Sequence, residues 1–235
     1  MNITKDSHAS AVATEMPATI RIFQEHGIDF CCGGKRPLAE ACADRGLDVD
    51  ALVAKLQRSI TGADAERNWQ AAPLGELIGY IQQRFHEPLR QELTRLAAMM
   101  AKVASRHGDH LPETLGPLAA TFRALHDDLL QHMTKEDVVL FPAIVAAERG
   151  DVAAAAFVSQ PIGVMEAEHE HAGLALARMR ELTGGYAPPE WACPTFRGLY
   201  FGLAEFEREM HIHVHLENNI LFPRAAAMAI AAPAS

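Results

Sequence analysis

His132-Met-Thr-Lys-Glu136-Asp-Val-Val-Leu140-Phe141-Pro142 is one of two copies of the same eleven-residue pattern. The second copy is His213-Val-His-Leu-Glu217-Asn-Asn-Ile-Leu221-Phe222-Pro223, so both read His-x3-Glu-x3-Leu-Phe-Pro. Residues four apart lie on one face of an α-helix, so each copy places an imidazole and a carboxylate together above apolar residues. The duplication predicts two helical hairpins that point these groups into one core, which is how a four-helix bundle holds two metal ions.

The rest of the chain has helical patterns and no convincing period-two alternation, which predicts an all-α fold. An antiparallel four-helix bundle is expected, with its breaks at segments rich in Gly, Pro or Asp. Its helices should span about 74–107, 113–149, 160–182 and 190–229. Shorter helices are expected upstream, over about 10–26, 37–45 and 49–60, and the polar stretch 59–73 has the composition of a linker. The predicted domains are therefore a small helical domain at 1–65 and the bundle at 73–230.

Each long helix has one apolar stripe with residues three and four apart, and six polar residues fall on these stripes. They are His86, His132, Glu136, His169, His213 and Glu217. A single His on such a stripe is more often a core histidine bonded to a neighbouring acceptor. Two buried glutamates, however, would be strongly destabilising without cationic partners. The joint pattern therefore favours metal binding.

Four imidazoles and two carboxylates are more than one closed zinc site needs, since structural zinc takes four ligands in a tetrahedron. The set suits two ions that share the carboxylates. Mixed imidazole and carboxylate ligands with open positions favour iron, with manganese as the second choice, and the spacing alone does not separate the two.

Several residues near these six are expected to lie outside the ligand set. Glu166 is expected to line the site, and Glu168 to lie at its periphery or to gate the pocket mouth, unless both are solvated helix charges. His211 and His215 fall off the apolar stripe and are expected at the surface. An interior proline kinks a helix, so Pro88 is expected to disturb the position of His86.

Cys31 and Cys32 form a second candidate site, in the sequence Asp29-Phe30-Cys31-Cys32-Gly33-Gly34-Lys35-Arg36. Adjacent cysteines chelate one ion poorly and form a strained disulfide. Nearby cations lower a thiol pKa, so the pair is expected to be reactive or to bind metal transiently. The alternative is one buried and one incidental cysteine.

Composition excludes several classes of protein. The formal net charge of −9 argues against a broad nucleic-acid-binding surface. The sequence contains no run of about 18 uncharged apolar residues, so no membrane span is expected. The N-terminus lacks the apolar stretch of a secretory peptide. Four cysteines do not make a disulfide scaffold in 235 residues. The sequence predicts a cytoplasmic protein.

The Asp29–Lys35 motif, the stretch Val164-Met-Glu-Ala-Glu-His169-Glu170 and the two His-x3-Glu blocks together resemble the iron–sulfur cluster repair di-iron proteins of the ScdA/RIC type. The resemblance implies a hemerythrin-like bundle behind a small cysteine-bearing domain. It implies the same six ligands, two iron ions joined by an oxo bridge, and paired cysteines at Cys31 and Cys32. It also implies a cytoplasmic stress protein, often a homodimer, that acts on iron–sulfur proteins damaged by nitric oxide or peroxide.

Three functions remain open from the sequence. The first is iron–sulfur cluster repair, by iron donation or by nitric-oxide chemistry. The second is reversible binding or sensing of oxygen or nitric oxide, as in simple hemerythrins, which would not need the cysteines. The third is catalytic reduction of nitric oxide with an electron donor.

Overall fold

The computed structural model describes residues 2–59 and 68–231, with side chains described through residue 228. Every regular element within these ranges is helical, and the one β-bridge there joins His8 to Pro37. The all-α prediction is confirmed for this part of the chain. None of the described helices is long and apolar enough to cross a bilayer.

The N-terminal part consists of α1 (Ala9–Glu15), α2 (Ile20–Glu25), α3 (Leu38–Ala43) and α4 (Val49–Ser59). The single helix expected over 10–26 is interrupted, because Pro17 has no N–H to continue α1 and starts a 3₁₀ turn over Pro17–Thr19. These helices bury an apolar cluster of their own, which includes Val12, Phe23, Phe30, Leu38 and Leu56. Part of the predicted linker, residues 60–67, lies outside the described residues.

The bundle contains four long helical rods. The first is α5 (Leu74–Ile81) and α6 (Glu87–His107), and the second is α7 (Pro112–Lys135) and α8 (Phe141–Glu148). After the short α9 (Val152–Phe157), the third is α10 (Ser159–Leu182). The fourth is α11 (Pro194–Leu216) and α12 (Phe222–Ala231). These bounds agree with the expected helices to within a few residues.

Three of the rods contain a π-helical turn, which the sequence reasoning did not foresee. The turns span Gln82–His86, Glu136–Leu140 and Glu217–Leu221. Each ends two residues before a proline, at Pro88, Pro142 and Pro223. A π-turn moves the backbone bonding from the fourth to the fifth residue back, so the helix tolerates a proline that cannot donate to the usual carbonyl. The kink expected at Pro88 does not displace His86, which is fully buried.

The bundle core has two apolar clusters with a polar layer between them. One cluster includes Leu93, Leu129, Leu176 and Leu203. The other includes Ile81, Leu140, Ile162 and Leu221. The six polar residues on the stripes lie between these clusters along every rod. Burial of apolar side chains above and below therefore holds this layer in place and keeps water away from it.

Candidate metal centre

All six polar residues on the stripes meet in the centre of the bundle. Each is at most 3% exposed, and both glutamates are fully buried. Their ligand atoms form two groups, and in each group the atoms lie within 4.8 Å of one another. The first group is His86, Glu136, His213 and Glu217, and the second is His132, Glu136, His169 and Glu217. The two carboxylates belong to both groups, so the side chains could hold two ions with shared glutamates.

The distances within the groups have the scale of a coordination sphere. The Nε2 atoms of His86 and His213 are 3.0 Å apart, and those of His132 and His169 are 2.9 Å apart. Glu217 lies 2.9 Å from the Nε2 of His213 and 3.1 Å from that of His169. Neighbouring donors on one ion with bonds of about 2.1 Å are about 3 Å apart, so each group is compact enough for one ion.

The protein's own side chains do not satisfy all the carboxylate oxygens of the two glutamates. Both carboxylate oxygens of Glu136 and one of Glu217 are buried without a hydrogen-bond partner among the described residues. Buried polar atoms are nearly always bonded, and a buried carboxylate is costly without a cation. The nearest polar atoms to Glu136 Oε2 and Glu217 Oε2 are imidazole Nε2 atoms, at 3.1–3.4 Å. An ion between the imidazoles and the carboxylates would bind both, so the residues fit a metal pair.

The charges of the centre shift the pKa values of its imidazoles. Burial lowers the pKa of His86, but its bonds to Asp137 and Glu217 and the charge of Glu136 outweigh burial and raise the pKa to about 9. Burial likewise opposes protonation of His132, and the glutamates still raise its pKa to about 9. The centre therefore attracts positive charge, which either protons or metal ions can supply.

Three of the four imidazoles donate through Nδ1 to a polar side chain. The Nδ1 of His86 lies 2.9 Å from Asp137, that of His132 lies 2.8 Å from Glu168, and that of His169 lies 2.7 Å from Asn218. With Nδ1 protonated, Nε2 keeps its lone pair toward the centre, which is the orientation a metal-binding histidine needs. The acceptors are themselves held, Asp137 by Arg90 and Gln82, and Glu168 by Lys135.

The phenylalanine of each Leu-Phe-Pro block stacks on a histidine of the preceding rod. Phe141 lies 5.5 Å from the ring of His86, with 18° between the planes, and Phe222 lies 5.9 Å from His169, with 7° between them. The two blocks thus contribute an aromatic residue to the centre as well as a histidine and a glutamate. They carry an aromatic wall that fixes the imidazole planes and excludes water from the centre.

Glu166 and Glu168 differ in what they contact. Glu168 is half-buried and touches His132, whereas Glu166 is exposed and lines a groove beside the cysteines. The sequence had Glu166 lining the site and Glu168 at its periphery. In the structure Glu168 faces α7 and contacts a ligand histidine, whereas Glu166 faces the N-terminal part. Asp137 and Asn218 were missed altogether. Each is the residue that follows the glutamate of its motif. A polar residue at this position in both copies could have indicated that these side chains contact the site.

Cys31 and Cys32 lie in a loop that packs on the bundle. The Asp29 carboxylate accepts from the backbone N–H groups of Cys31, Cys32 and Gly33 and from the Cys31 thiol. The neighbouring thiol of Cys32, burial and the charge of Asp29 raise the pKa of Cys31 well above its usual value. The expectation of a thiol pKa lowered by cations is therefore wrong for Cys31, since a carboxylate dominates its surroundings.

The cysteine loop is close to the polar layer. The Cys32 sulfur lies 3.6 Å from the carbonyl oxygen of His169. Both cysteines line an open groove of about 980 Å³ between the N-terminal part and the bundle. Glycine is required at position 34, because a Cβ there would lie 2.7 Å from the backbone of Phe30. The loop can thus lie flat on the bundle beside one end of the centre.

His215 holds the N-terminal part to the bundle. The sequence placed it with His211 at the surface, but His215 is 1% exposed, and its Nδ1 lies 3.0 Å from the carbonyl oxygen of Phe30. Burial lowers its pKa to about 4, so the ring is neutral at neutral pH. His211 is partly buried in the same groove. The surface expectation is wrong because this side of α11 is covered by a second domain, which helical periodicity does not reveal.

Comparison with known proteins places these features in a family. Residues 5–59 match a domain of unknown function named ScdA_N, and residues 78–225 match the hemerythrin HHE cation binding domain. The iron-sulfur cluster repair protein YtfE of Yersinia pseudotuberculosis (serotype O:1b) is 42% identical over 221 residues, which cover 94% of this chain and 97% of that protein. YtfE of Pectobacterium atrosepticum is 41% identical with the same coverage. The chain therefore belongs to the hemerythrin HHE family and, within it, to the group of the iron-sulfur cluster repair protein YtfE.

Proposed function

We propose that this protein holds two iron ions at its centre and uses them to restore iron–sulfur clusters damaged by nitric oxide or peroxide. The observation that carries the proposal is that Glu136 and Glu217 each belong to both ligand groups and have buried carboxylate oxygens without a hydrogen-bond partner among the described residues. The similar proteins of Yersinia and Pectobacterium are named as iron–sulfur cluster repair proteins, which supports the same role here.

In this proposal, His86 and His213 would hold one ion, His132 and His169 would hold the other, and the two glutamates would contribute to both sites. Bound iron would supply open positions for a small ligand such as nitric oxide, and an ion that can pass to a damaged cluster. The protein holds each imidazole by its Nδ1 bond or its aromatic neighbour. Mixed nitrogen and oxygen ligands with positions left open favour iron over zinc.

The cysteine pair favours repair over a simple oxygen or nitric-oxide carrier. Cys32 touches the backbone of His169, and the pair lines an open groove large enough for a partner segment. In the proposal, Cys31 and Cys32 contact the recipient cluster or a partner thiol, with Glu166 on the wall of the same groove. The homodimer, the cytoplasmic location and the oxo bridge that the resemblance implies belong to this proposal as well.

Metal analysis and a repair assay on the same preparations test it. We expect about two irons per chain, the absorption of an oxo-bridged ferric pair, and restored activity of an iron–sulfur enzyme inactivated by nitric oxide. Glu136→Gln should lose most of the iron and the repair activity, whereas the exposed Glu113→Gln should keep both. Wild-type protein with no bound iron, or full repair by Glu136→Gln, would overturn the proposal.

Cysteine variants distinguish repair from reversible binding. Cys31→Ser with Cys32→Ser should keep two irons, because neither thiol is near enough to the carboxylates to join the two ligand groups. If the double variant restores clusters as well as wild type does, the cysteines have no part in repair, and the carrier function gains support. Multiple turnovers of nitric oxide with an electron donor would instead support a reductase.

A further inference from the structure

The two halves of the centre are related by the internal duplication. His86 corresponds to His169, His132 to His213, Glu136 to Glu217, and Asp137 to Asn218, all in the same order along the chain. The residue immediately before the first histidine of each half breaks this correspondence. It is Glu168 in the second half and Phe85 in the first.

This one difference changes what the ligand imidazoles contact. Glu168 accepts from the Nδ1 of His132 at 2.8 Å. At the equivalent place, the ring of Phe85 stacks on His213, with the centroids 5.3 Å apart and 5° between the planes. The Nδ1 of His213 is buried and has no hydrogen-bond partner among the described residues. Phenylalanine offers a flat apolar surface but no acceptor.

The two ligand groups are therefore supported unequally. In the group of His132 and His169, both imidazoles donate to a side-chain acceptor, Glu168 and Asn218. In the group of His86 and His213, only His86 does. An acceptor on the second nitrogen orients a metal-binding imidazole and makes it a better donor, and its loss typically costs about 10–100-fold in metal affinity.

A groove also lies beside this weaker group. Its volume is about 430 Å³, and its lining includes Phe85, Glu209 and His213. His213 is only 1% exposed, so the groove ends at the imidazole ring and does not open the centre to solvent. The cysteine pair lies on the other side, beside the backbone of His169.

We propose that the two ions are held unequally, that the ion between His86 and His213 leaves first, and that Phe85 is the positioning residue that sets this order. This inference rests on the proposed function, because it requires that the centre holds two irons. It goes further by identifying the ion that is available for transfer. The order of release follows from the hydrogen-bond partners of the imidazoles and not from the distance of each ion to the cysteines.

Release kinetics test the inference. Anaerobic ferrous protein is mixed with a ferrous chelator that absorbs when it binds iron. We expect two phases of equal amplitude with rates that differ by about 10–100-fold. Glu168→Phe, which copies the weaker half onto the stronger, should accelerate the slow phase about tenfold and leave the fast phase unchanged. Phe85→Gln, which offers His213 an amide oxygen, should slow the fast phase, and Phe85→Leu should not.

Glu168 is partly exposed, so Glu168→Phe tests the inference even if a polar residue at the buried Phe85 prevents folding. Iron-edge anomalous diffraction from crystals depleted of the fast iron should show density only between His132 and His169. Density only between His86 and His213 would overturn the inference, as would one uniform release phase from a protein that holds two irons and repairs clusters. A protein that never holds two irons would instead remove the proposed function itself.

Discussion

Removal of the metal should lower the thermal stability of the protein by a large and calculable amount. The six ligand groups are buried and come from all four rods, so the ions can bind the folded chain but not the unfolded one. At free metal about 1,000-fold above the dissociation constant, each ion stabilises the fold by about 4 kcal/mol, or about 8 kcal/mol for two. For a domain of this size, 1 kcal/mol moves the melting temperature by about 2–4 °C, so the expected loss is about 15–30 °C.

The assay is calorimetry or circular dichroism on metal-loaded and metal-free protein, with Glu217→Gln beside wild type. Glu217 contributes to both ligand groups, and an amide at this position neither bridges ions well nor balances their charge. The gap between loaded and metal-free forms should therefore shrink below about 5 °C in this variant. The exposed Glu113→Gln should keep the full gap. A wild-type gap under 5 °C, or a full gap in Glu217→Gln, would refute the reasoning.

Three further perturbations follow from single contacts. Asp137→Ala removes an acceptor from a ligand imidazole and should weaken metal binding about 10–100-fold, measured by competition with a chelator. His215→Leu removes the buried bond to Phe30 between the two parts of the chain. It should destabilise the docked N-terminal part by about 1–3 kcal/mol, measured by urea unfolding and by faster proteolysis of that part. Cys31 has a raised pKa, so its alkylation should be slow at pH 7 and accelerate as the pH rises above 9. Asp29→Asn removes a negative charge beside the thiol and should shift the pH profile of alkylation to lower pH.

Each of these perturbations has a matched control. An unfolding curve and a proteolysis rate of His215→Leu equal to those of wild type would deny the docking role of that histidine. Asp109→Ala and His171→Leu change exposed residues of the same types and should leave metal affinity and proteolysis unchanged. Asp50→Asn is the control for the thiol profile. Unchanged metal affinity in Asp137→Ala would deny the orienting role of that carboxylate. Cys31 that reacts as fast at pH 7 as at pH 9.5 would show that burial and Asp29 do not control the thiol.

The sequence was sufficient for the four rods and the six central residues, because both follow from local geometry. Helical spacing alone places His132 with Glu136, and His213 with Glu217, and duplication makes the coincidence hard to attribute to chance. The buried stripes then bring the groups to one layer. Sequence periodicity predicts these features because each of them depends on which residues share one face of a helix.

Other features depend on which groups meet across the fold. The π-turns were not foreseen, although the prolines at 88, 142 and 223 marked where ordinary helical bonding fails. His215 was placed at the surface because periodicity describes one helix and not the domain that covers it. The thiol of Cys31 was expected near cations, whereas the loop folds back so that Asp29 lies against it.

The central claim is that two ions lie between four histidines and share Glu136 and Glu217, and an iron-edge anomalous difference map of iron-loaded crystals tests it most directly. We predict two peaks in each chain, one between His86 and His213 and one between His132 and His169, both within bonding distance of the two glutamates. A single peak, peaks held by other residues, or none at this layer in iron-loaded protein would contradict the account.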